Sequence, residues 1–446
     1  MNDADLLALQ SQLKDRVRGE LVTSIQALEA DGSHRLSSLD QEALTSSLVA
    51  QSLGAAARQR LDRGQPLITP EDEDRLARSV MTEVIGTSGR LQPYREDPTV
   101  ISFRANDHRT SWVTYTDGRK ERGPALASDA QGLIEVIRGL LEEAYRYDGI
   151  ERRFDPGSPW VDAVLANGDR LFALRDLSRE PFLILRRHNF TELTTVEDLR
   201  ARGSVTRGEA ALFEAMVVAR FNLVIVGGQN VGKTTFLRCC ANAIPRDERI
   251  VVLEDIPELG LDRFPEFHRD IVSVCTRGAN VEGSGAVSMT DVAYRLHRAE
   301  GERFIVGEAR GGPEVVPMLM AMTCGNEGSM TTVHAPSTRA AFERLALFAA
   351  ISPERLPLDL AYELVGEALD FVIHLHARPQ GGRIHRYVSS IRRVRRANGR
   401  QIESDEVLRR SRPGAATMVA GLDNDDLARL EDAGFDPAWL SEASRW

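Results

Sequence analysis

The amino-acid sequence predicts an α/β protein whose C-terminal half carries a mostly parallel β-sheet, preceded by an α+β domain and a helical N-terminal extension. Three observations lead to this prediction. Apolar residues recur at helical spacing near the start of the chain. Short β-rich runs with turn signals follow from about residue 98, and short apolar strands alternate with helices beyond residue 220. A chain of 446 residues is long enough for about three domains.

The first segment, residues 1–66, is predicted to be a helical module. A stripe of aliphatic residues at three- and four-residue steps predicts a first helix that ends before Asp31-Gly32. The stripe consists of Leu6, Leu9, Leu13, Val17, Leu21, Ile25 and Leu28. A second helix is predicted over roughly residues 38–62. Two such helices would form a hairpin, which is more often a packing or docking module than a catalytic one.

Residues 67–192 are predicted to form the α+β domain. Thr69-Pro70-Glu71-Asp72 has the hydroxyl cap, early proline and acidic residues of a helix start. A further helix is predicted over residues 129–147, and Asn167-Gly168 is typical of a β-hairpin turn. The predicted strands, rich in β-branched and aromatic residues, are Val100–Ala105, Trp112–Thr116, Trp160–Leu165, Leu171–Leu174 and Pro181–Leu185.

Residues 193–410 are predicted to form the α/β domain. Its short apolar strands are Leu223–Val226, Ile250–Leu253, Ile271–Cys275, Phe304–Val306 and Ser329–Val333. Alternation of such strands with helices indicates a largely parallel sheet. Residues 411–446 follow as an acidic C-terminal tail, because the last 46 residues hold ten acids against five arginines.

Composition disfavours several classes of protein. Hydrophobic residues make up 42% and charged residues 27% of the chain, which disfavours wholesale disorder. The net charge of −10 argues against a protein whose main task is to neutralise nucleic-acid phosphates, so nucleic acid is not an expected partner. No stretch resembles a membrane span or a signal peptide. Cys239, Cys240, Cys275 and Cys324 lack the spacing of a zinc site or a disulfide framework, which fits a reducing cytoplasm.

One lysine stands out in this arginine-rich chain. Of 56 basic residues only Lys14, Lys120 and Lys233 are lysines. Lys233 lies in a stretch that follows a predicted strand and satisfies the pattern G-x-x-x-x-G-K-[ST]. The stretch is Gly227-Gly228-Gln229-Asn230-Val231-Gly232-Lys233-Thr234-Thr235. Backbone N–H groups of such a loop surround a phosphate chain, the ammonium reaches the β- and γ-phosphates, and Thr234 can bind Mg²⁺. The alternative is a glycine-rich turn with a solvated lysine.

Acidic residues end two of the predicted strands. Glu254 follows Val251-Val252-Leu253, and Glu308 closes Arg303-Phe304-Ile305-Val306-Gly307-Glu308. Because the carboxyl ends of parallel strands line the ligand crevice, both carboxylates are expected to face the phosphates, hold the metal shell and orient water. Structural ion pairing is the alternative. His334 follows a third strand, and two interpretations are open for it: a hydrogen bond to a γ-phosphate, or a structural role.

Arginines form the densest basic run near the end of the predicted α/β domain. The run consists of Arg392, Arg393, Arg395 and Arg396. Contact with nucleic acid or lipid is one interpretation. The scarcity of aromatic residues in the run favours a solvated strand face instead.

Together these motifs resemble the type II/IV secretion ATPases, most closely the CpaF-like ATPases of tight-adherence (Flp) pilus systems. In the first half the resemblance rests on Ser88-Gly89-Arg90-Leu91, Asp97-Pro98-Thr99-Val100, Val161-Asp162-Ala163, Asn167-Gly168-Asp169-Arg170 and Ile184-Leu185-Arg186-Arg187. In the second half GGQNVGKTT, VVLEDIPEL, TRGANVEGSG, RFIVGEARG and GSMTTVHAPS resemble the Walker A segment, the Asp box, a following loop, the Walker B segment and the His box. The resemblance spans roughly residues 84–400.

The resemblance implies a P-loop NTPase (RecA-like) motor domain that hydrolyses ATP with Mg²⁺. It implies that Lys233 and Thr234 bind the phosphates and Mg²⁺. Glu254 would be the carboxylate that activates water, and Glu308 would support both metal and water.

The resemblance also implies roles for residues and partners outside the phosphate loop. His334 would be the sensor of the His box, and Arg170 and Arg186 would reach the nucleotide from the N-terminal domain. The implied assembly is a homo-hexamer that acts with an inner-membrane platform protein in pilus assembly or secretion, in the cytoplasm and peripheral to the membrane. A DNA-transfer ATPase and an ATP-gated scaffold with negligible hydrolysis are the alternatives.

Overall fold

The computed structural model describes residues 3–30, 38–85, 91–127, 129–187, 193–277, 282, 284–296, 298–311, 313–380, 383–412 and 415–441. Contacts between Cα atoms divide the chain into two compact units, the first built from residues 1–188 with 280–282 and the second from residues 189–279 with 283–446. Three features singled out in the sequence fall outside the described residues: Asp31-Gly32, Ser88-Gly89-Arg90, and residues 278–281 with 283 of the loop TRGANVEGSG. The four domains predicted from the sequence, and the three boundaries between them, stay predictions.

The first unit opens with helices and continues with an antiparallel sheet. Its described elements are α1 (Asp3–Ala30), α2 (Ser38–Asp62), α3 (Pro70–Ile85), α4 (Gln92–Glu96), β1 (Val100–Ala105), β2 (Ser111–Tyr115), β3 (Lys120–Gly123), α5 (Ala130–Asp148), β4 (Trp160–Val164), β5 (Arg170–Leu174) and β6 (Phe182–Arg186). The predicted helices over residues 38–62 and 129–147 are confirmed. A third helix joins the predicted pair, because Leu76 and Val80 of α3 share one buried apolar cluster with Leu13 of α1 and Val49 of α2.

The sheet of the first unit has the strand order β3-β2-β1-β6-β5-β4, with antiparallel neighbours throughout. Buried and more exposed side chains alternate along β2 and β6, as in a sheet with one face on the core. That core also contains Ile137 and Leu140 of α5. α5 begins at the N-cap Asp129, whose carboxylate accepts the N–H of Gly132 at 2.7 Å, and ends at Gly149, where φ is 68°.

The second unit is an α/β arrangement. Its described elements are α6 (Val196–Ala201), α7 (Arg207–Val218), β7 (Leu223–Gly227), α8 (Lys233–Ala241), β8 (Ile250–Glu254), a 3-10 turn (Leu261–Arg263), β9 (Ile271–Cys275), α9 (Met289–Leu296), β10 (Arg303–Ala309), α10 (Val315–Thr323), β11 (Met330–His334), α11 (Thr338–Ile351), α12 (Leu358–Ala368), β12 (Phe371–Gln380), β13 (Arg383–Asn398), β14 (Gln401–Arg412), β15 (Ala415–Met418), α13 (Asn424–Asp432) and α14 (Ala438–Ser441).

These strands form one sheet in the order β15-β14-β13-β12-β7-β11-β10-β8-β9. Neighbours from β12 across to β9 are parallel, whereas β12 to β15 are antiparallel. The predicted α/β fold with a mostly parallel sheet is thereby confirmed. Every residue of β7 and β8 is buried, because helices cover both faces of the sheet. Ile225 lies in the core with Phe213 of α7, and Val226 lies in the opposite core with Leu345 of α11.

The arginine run on β13 differs in part from its prediction as a solvated strand face: Arg396 is exposed and pairs with Glu403 at 2.8 Å, whereas the other three arginines are buried or half-buried. Arg392 is only 5% exposed. Arg393 forms ion pairs with Asp370 at 2.9 Å and with Asp426 at 2.8 Å, and Arg395 also pairs with Asp426 at 3.0 Å. The reason is that α13, from the acidic C-terminal segment, places Asp426 beside β13, a contact that the pattern of β13 alone does not contain. Among the described residues, none of the helices is both long and apolar enough to cross a membrane.

Candidate functional site

The glycine-rich loop joins the carboxyl end of β7 to the first turn of α8. Three of its residues have positive φ angles: 154° at Gly227, 60° at Asn230 and 94° at Gly232. Backbone in this conformation turns successive N–H groups toward one side and creates an anion-binding concavity at a helix N-terminus. A Cβ on Gly227 would lie 2.6 Å from the carbonyl oxygen of Leu375 on β12, so the close approach of the two strands also requires glycine. The predicted nucleotide-binding residues form one continuous segment that runs from the end of β7 through the loop into the first turn of α8. They are Gly227, Gly228, Gln229, Asn230, Val231, Gly232, Lys233, Thr234 and Thr235.

Lys233 is the first residue of α8 and is only 7% exposed. Its Nζ donates to the carbonyl oxygens of Gly228 at 2.8 Å and Gly227 at 3.3 Å, and it lies 3.1 Å from Nδ1 of His334. Burial lowers the pKa of the ammonium, while Glu308 acts in the opposite direction. The lysine that the sequence singled out is therefore held inside the loop that would receive a phosphate.

His334 ends β11 and Glu308 lies near the end of β10, and these two strands are parallel neighbours. Nε2 of His334 lies 2.9 Å from Oε1 of Glu308. Because the ammonium of Lys233 can only donate, Nδ1 of His334 accepts, which assigns the ring proton to Nε2 and makes Glu308 its acceptor. The register of β10 against β11 shifts between Val306 and Ala309, an irregularity of the kind that re-aims a side chain at a functional site.

Glu254 is the last residue of β8 and is 5% exposed. Its Oε1 accepts the backbone N–H groups of Glu258 and Leu259, each at 3.0 Å. Burial raises the pKa of this carboxyl to about 8, although the two backbone hydrogen bonds act to lower it. Gly307 on the adjacent β10 provides the space, since a Cβ there would lie 2.7 Å from Oε1 of Glu254. Only the ionised form can accept a proton, and in that form a carboxyl group with such a pKa is a stronger base than an ordinary glutamate.

Arg310 links the acidic side chains of the site and was not among the site residues predicted from the sequence. Its Nε donates to Glu308 at 2.6 Å, its Nη1 donates to Asp255 at 3.2 Å, and its Nη2 lies 3.5 Å from Glu258. Burial acts to lower the pKa of the guanidinium, but the bond to Glu308 and the nearby carboxylates raise it above its usual value. Its position two residues after Glu308 in an extended stretch is the signal that could have found it.

Thr234, Glu254, Glu308 and Arg310 line one cleft. Within the part of the chain that the structure describes, no group of three or more His, Cys, Asp or Glu side chains is arranged to hold a metal ion. This donor set fits Mg²⁺ that arrives with a nucleotide, because Mg²⁺ then takes most ligands from phosphates and water and one or two from the protein. Thr234 and Glu308 are the residues that would hold it.

Arg170 and Arg186, the two arginines implicated by the resemblance, belong to the first unit. They lie directly opposite each other on β5 and β6. Contact with a nucleotide remains a prediction for both.

Comparison with known proteins identifies relatives across most of the chain. Residues 177–376, which contain the glycine-rich loop, Glu254, Glu308 and His334, match the family model described as type II/IV secretion system protein. A Mycobacterium tuberculosis protein that carries the name conjugal transfer protein is 30% identical over 332 residues, or 72% of this chain and 88% of that protein. The type IV secretion system protein VirB11 of Brucella suis is 26% identical over 320 residues, or 64% of this chain and 83% of that protein.

Comparison with solved structures finds two ATPases among others. The VirB11 ATPase of the Brucella suis type IV secretion system, in complex with sulphate, has 22% identity and a TM-score of 0.35, covering 72% of this chain and 96% of that chain. The Legionella pneumophila ATPase DotB has 16% identity and a TM-score of 0.47, covering 68% of this chain and 78% of that chain.

Proposed function

Because the chain belongs to the type II/IV secretion system protein family, we propose that it is a motor that hydrolyses ATP to drive a machine of this class. The observation that carries the proposal is the contact chain from the phosphate loop through Lys233 and His334 to Glu308, with Glu254 lining the same cleft as Glu308. A phosphate loop with a lysine and two carboxylates at the carboxyl edge of a parallel sheet supports phosphoryl transfer to water.

In the proposed reaction a water oxygen attacks the γ-phosphorus of ATP in line with the bond to the β-phosphate. The new P–O bond forms as the old one breaks, ADP leaves with the electron pair, and Glu254 accepts a proton from the attacking water. Lys233 and the loop N–H groups neutralise negative charge on the phosphates, while His334 and Glu308 orient the γ-phosphate and the water. Mg²⁺ bound with the nucleotide would neutralise further charge on the β- and γ-phosphates.

Phosphate release by the purified protein tests the site directly. Lys233→Ala is expected to abolish nucleotide binding and turnover together, because it removes the only ammonium of the loop. Lys120→Ala is the matched control, since Lys120 is an exposed lysine on β3 of the first unit. Wild-type turnover by the Lys233→Ala variant would remove this loop from the active site.

Glu254→Gln separates a motor from an ATP-gated scaffold. The amide is nearly isosteric but accepts no proton, so the variant is expected to bind ATP with little change and to turn it over at least about a hundredfold more slowly. A scaffold with negligible hydrolysis would instead show equally low phosphate release in the wild type and in the variant. Binding is measured with a fluorescent ATP analogue and turnover by phosphate release.

We further propose that the working form is a homo-hexamer in which Arg170 and Arg186 reach the nucleotide. The support is the resemblance to secretion ATPases and the placement of both arginines side by side on β5 and β6. The mass of the ATP-bound assembly in solution tests the hexamer. Arg170→Ala and Arg186→Ala are expected to lower turnover without disassembling it, and wild-type turnover in both variants would exclude them from catalysis.

The machine that the motor serves has two candidates. Pilus assembly or protein secretion, with an inner-membrane platform protein as partner on the cytoplasmic side, is supported by the resemblance to CpaF-like ATPases. Conjugal transfer of DNA is favoured by the name of the Mycobacterium tuberculosis relative. Deletion of the gene followed by assays for surface filaments and for DNA transfer separates them: loss of filaments alone supports the first, and loss of transfer alone supports the second.

A further inference from the structure

Arg238 is an arginine that the mechanism above does not use, and it is 1% exposed. It lies on α8, in the turn after Lys233 and Thr234. Its Nε donates to the carbonyl oxygen of Leu259 at 2.7 Å, and its Nη2 donates to the carbonyl oxygen of Glu258 at 2.9 Å. Burial lowers the pKa of its guanidinium to about 10, which shows how strongly this position disfavours a charge.

The peptide bond that Arg238 contacts also contacts Glu254. The carbonyl of the Glu258–Leu259 peptide accepts from Arg238, and the N–H of the same peptide donates to Oε1 of Glu254 at 3.0 Å. The N–H of Glu258 donates to the same Oε1 at 3.0 Å. A single loop, from Glu254 to Leu259, is therefore fixed on its carbonyl side by α8 and on its amide side by the Glu254 carboxylate.

Packing alone does not explain a charged group at this position. An apolar side chain of similar volume would fill the space without the cost of taking a guanidinium out of water, and such replacements of buried charges are often neutral or stabilising. The five donors of arginine in a rigid fork, in contrast, suit the simultaneous binding of two neighbouring carbonyls. The contacts of Arg238 therefore orient the loop from Glu254 to Leu259 rather than merely fill space.

We propose that Arg238 is a positioning residue that ties the nucleotide-binding helix α8 to the carboxylate of Glu254. The inference rests on the proposed function in one respect, the role of Glu254 in activating water. Because α8 begins with Lys233 and Thr234, a displacement of this helix by bound phosphates moves Arg238, the Glu258–Leu259 peptide and hence the Glu254 carboxylate. The guanidinium of Arg238 thus couples phosphate binding to the position of the Glu254 carboxylate.

Kinetics of Arg238→Met and Arg238→Lys test the proposal. Arg238→Met removes both carbonyl contacts at similar volume, so its kcat is expected to fall about a hundredfold, the effect of a misplaced catalytic group. Its KM for ATP and its affinity for a fluorescent ADP analogue are expected to stay within about twofold, because the phosphate loop is untouched. Arg238→Lys keeps one donor group and is expected to recover about tenfold of the lost kcat.

Arg303→Met is the matched control. Arg303 is also fully buried and donates to a backbone carbonyl, that of Val217, but it pairs with Glu248 at the amino end of β10, away from Glu254. If Arg303→Met lowers kcat as much as Arg238→Met, the effect is loss of a buried arginine in general and the proposal is wrong. Loss of ADP-analogue binding in parallel with kcat in Arg238→Met would also overturn it.

A double variant provides the sharpest kinetic criterion. If Arg238 acts through Glu254, Arg238→Met in the Glu254→Gln background has no further effect on kcat, whereas independent roles would multiply the two losses. Multiplying losses would therefore refute the positioning role while leaving the catalytic role of Glu254 intact.

Amide hydrogen exchange tests the same inference without turnover. In Arg238→Met the N–H groups of Glu258 and Leu259 are expected to exchange at least about tenfold faster than in the wild type, and in Arg303→Met they are expected to be unchanged. Unchanged exchange in Arg238→Met would overturn the proposal even if the wild type released no phosphate. Absence of phosphate release with the expected exchange pattern would instead overturn only the proposed function.

Discussion

Nε2 of His334 lies 2.9 Å from Oε1 of Glu308, and this contact joins the carboxyl ends of two neighbouring strands directly beside the phosphate loop. The other ring nitrogen faces Nζ of Lys233 at 3.1 Å. A histidine in this position links the group that would bind the γ-phosphate to a carboxylate that would orient water. Its two contacts fix one tautomer, so the ring is oriented without help from solvent.

Replacement of His334 by alanine is expected to lower kcat about tenfold to a hundredfold, since a hydrogen bond to a charged group contributes about 1.5–3 kcal/mol. Nucleotide affinity is expected to change little, because Lys233 keeps its contacts with the carbonyl oxygens of Gly227 and Gly228. His385→Ala, at an exposed position on β13, is the control. A kcat equal to that of the control would mean that His334 is structural.

Replacement of Gly307 by alanine tests the placement of Glu254. The added Cβ would lie 2.7 Å from Oε1 and 2.9 Å from Cγ of Glu254, so the carboxylate must shift. We expect kcat to fall about a hundredfold, with nucleotide affinity unchanged because the phosphate loop is not touched. Gly421→Ala is the control, since a Cβ there meets nothing within 4 Å. A wild-type kcat in Gly307→Ala would show that turnover does not depend on the position of the Glu254 carboxylate.

The local pattern of the sequence was sufficient to predict the parallel strands that position the site. Runs such as Leu223–Val226 and Ile250–Leu253 are continuous and apolar because both faces of their strands are buried, and each reappears as β7 or β8 with one more residue at its carboxyl end. Those added residues are Gly227, where the glycine-rich loop begins, and Glu254, the proposed general base. Both lie at the carboxyl edge of the parallel strands. The strand pattern therefore located the edge of the sheet at which the predicted site residues meet.

The same reasoning did not find the antiparallel extension or the contacts between side chains. β13 mixes buried and charged residues. Arg393 is half-buried beside Asp370 and Asp426, which lie on a preceding turn and on a later helix, and Arg392 is buried against Thr338 of α11 and Glu406 of β14. Likewise, Arg310 and Arg238 are two of many arginines in the sequence. Their importance depends on which carboxylates and carbonyls the fold brings within hydrogen-bond distance, and no spacing along the chain records that.

The raised pKa of Glu254 predicts a pH dependence of stability. Burial raises this pKa from 4.5 to about 8 in the folded protein, so the folded state holds the proton more tightly than the unfolded chain does. Glu254 therefore stabilises the folded protein most at pH values below 4.5, the pKa of the unfolded chain. As the pH rises from there toward about 8, the free energy of unfolding falls by about 1.4 kcal/mol per pH unit. Glu254→Gln cannot lose a proton and is expected to gain stability relative to the wild type across this window.

Urea unfolding at a series of pH values between the two pKa values measures this difference. Glu431→Gln, which changes an exposed glutamate of α13, is the control and should parallel the wild type. Parallel curves for Glu254→Gln and the wild type would contradict the prediction, since they would mean that Glu254 is ionised in the folded protein over the whole range.

The acidic C-terminal segment is predicted to stabilise the second unit through Asp426. This carboxylate is 2% exposed and pairs with Arg393 at 2.8 Å and with Arg395 at 3.0 Å. Asp426→Asn removes one carboxylate from this network, while Arg393 keeps Asp370 and Arg395 keeps Asp405 and Asp423. The expected loss of stability is therefore that of a hydrogen bond to a charged group, about 1.5–3 kcal/mol. We expect the urea midpoint to fall by the corresponding amount with little dependence on salt, because buried pairs are weakly screened.

Asp425→Asn, at the exposed neighbouring position, is the control and is expected to change stability by less than about 0.5 kcal/mol. Equal effects of the two variants would mean that the segment only adjoins the sheet, and that its net charge rather than this ion pair explains its acidic composition.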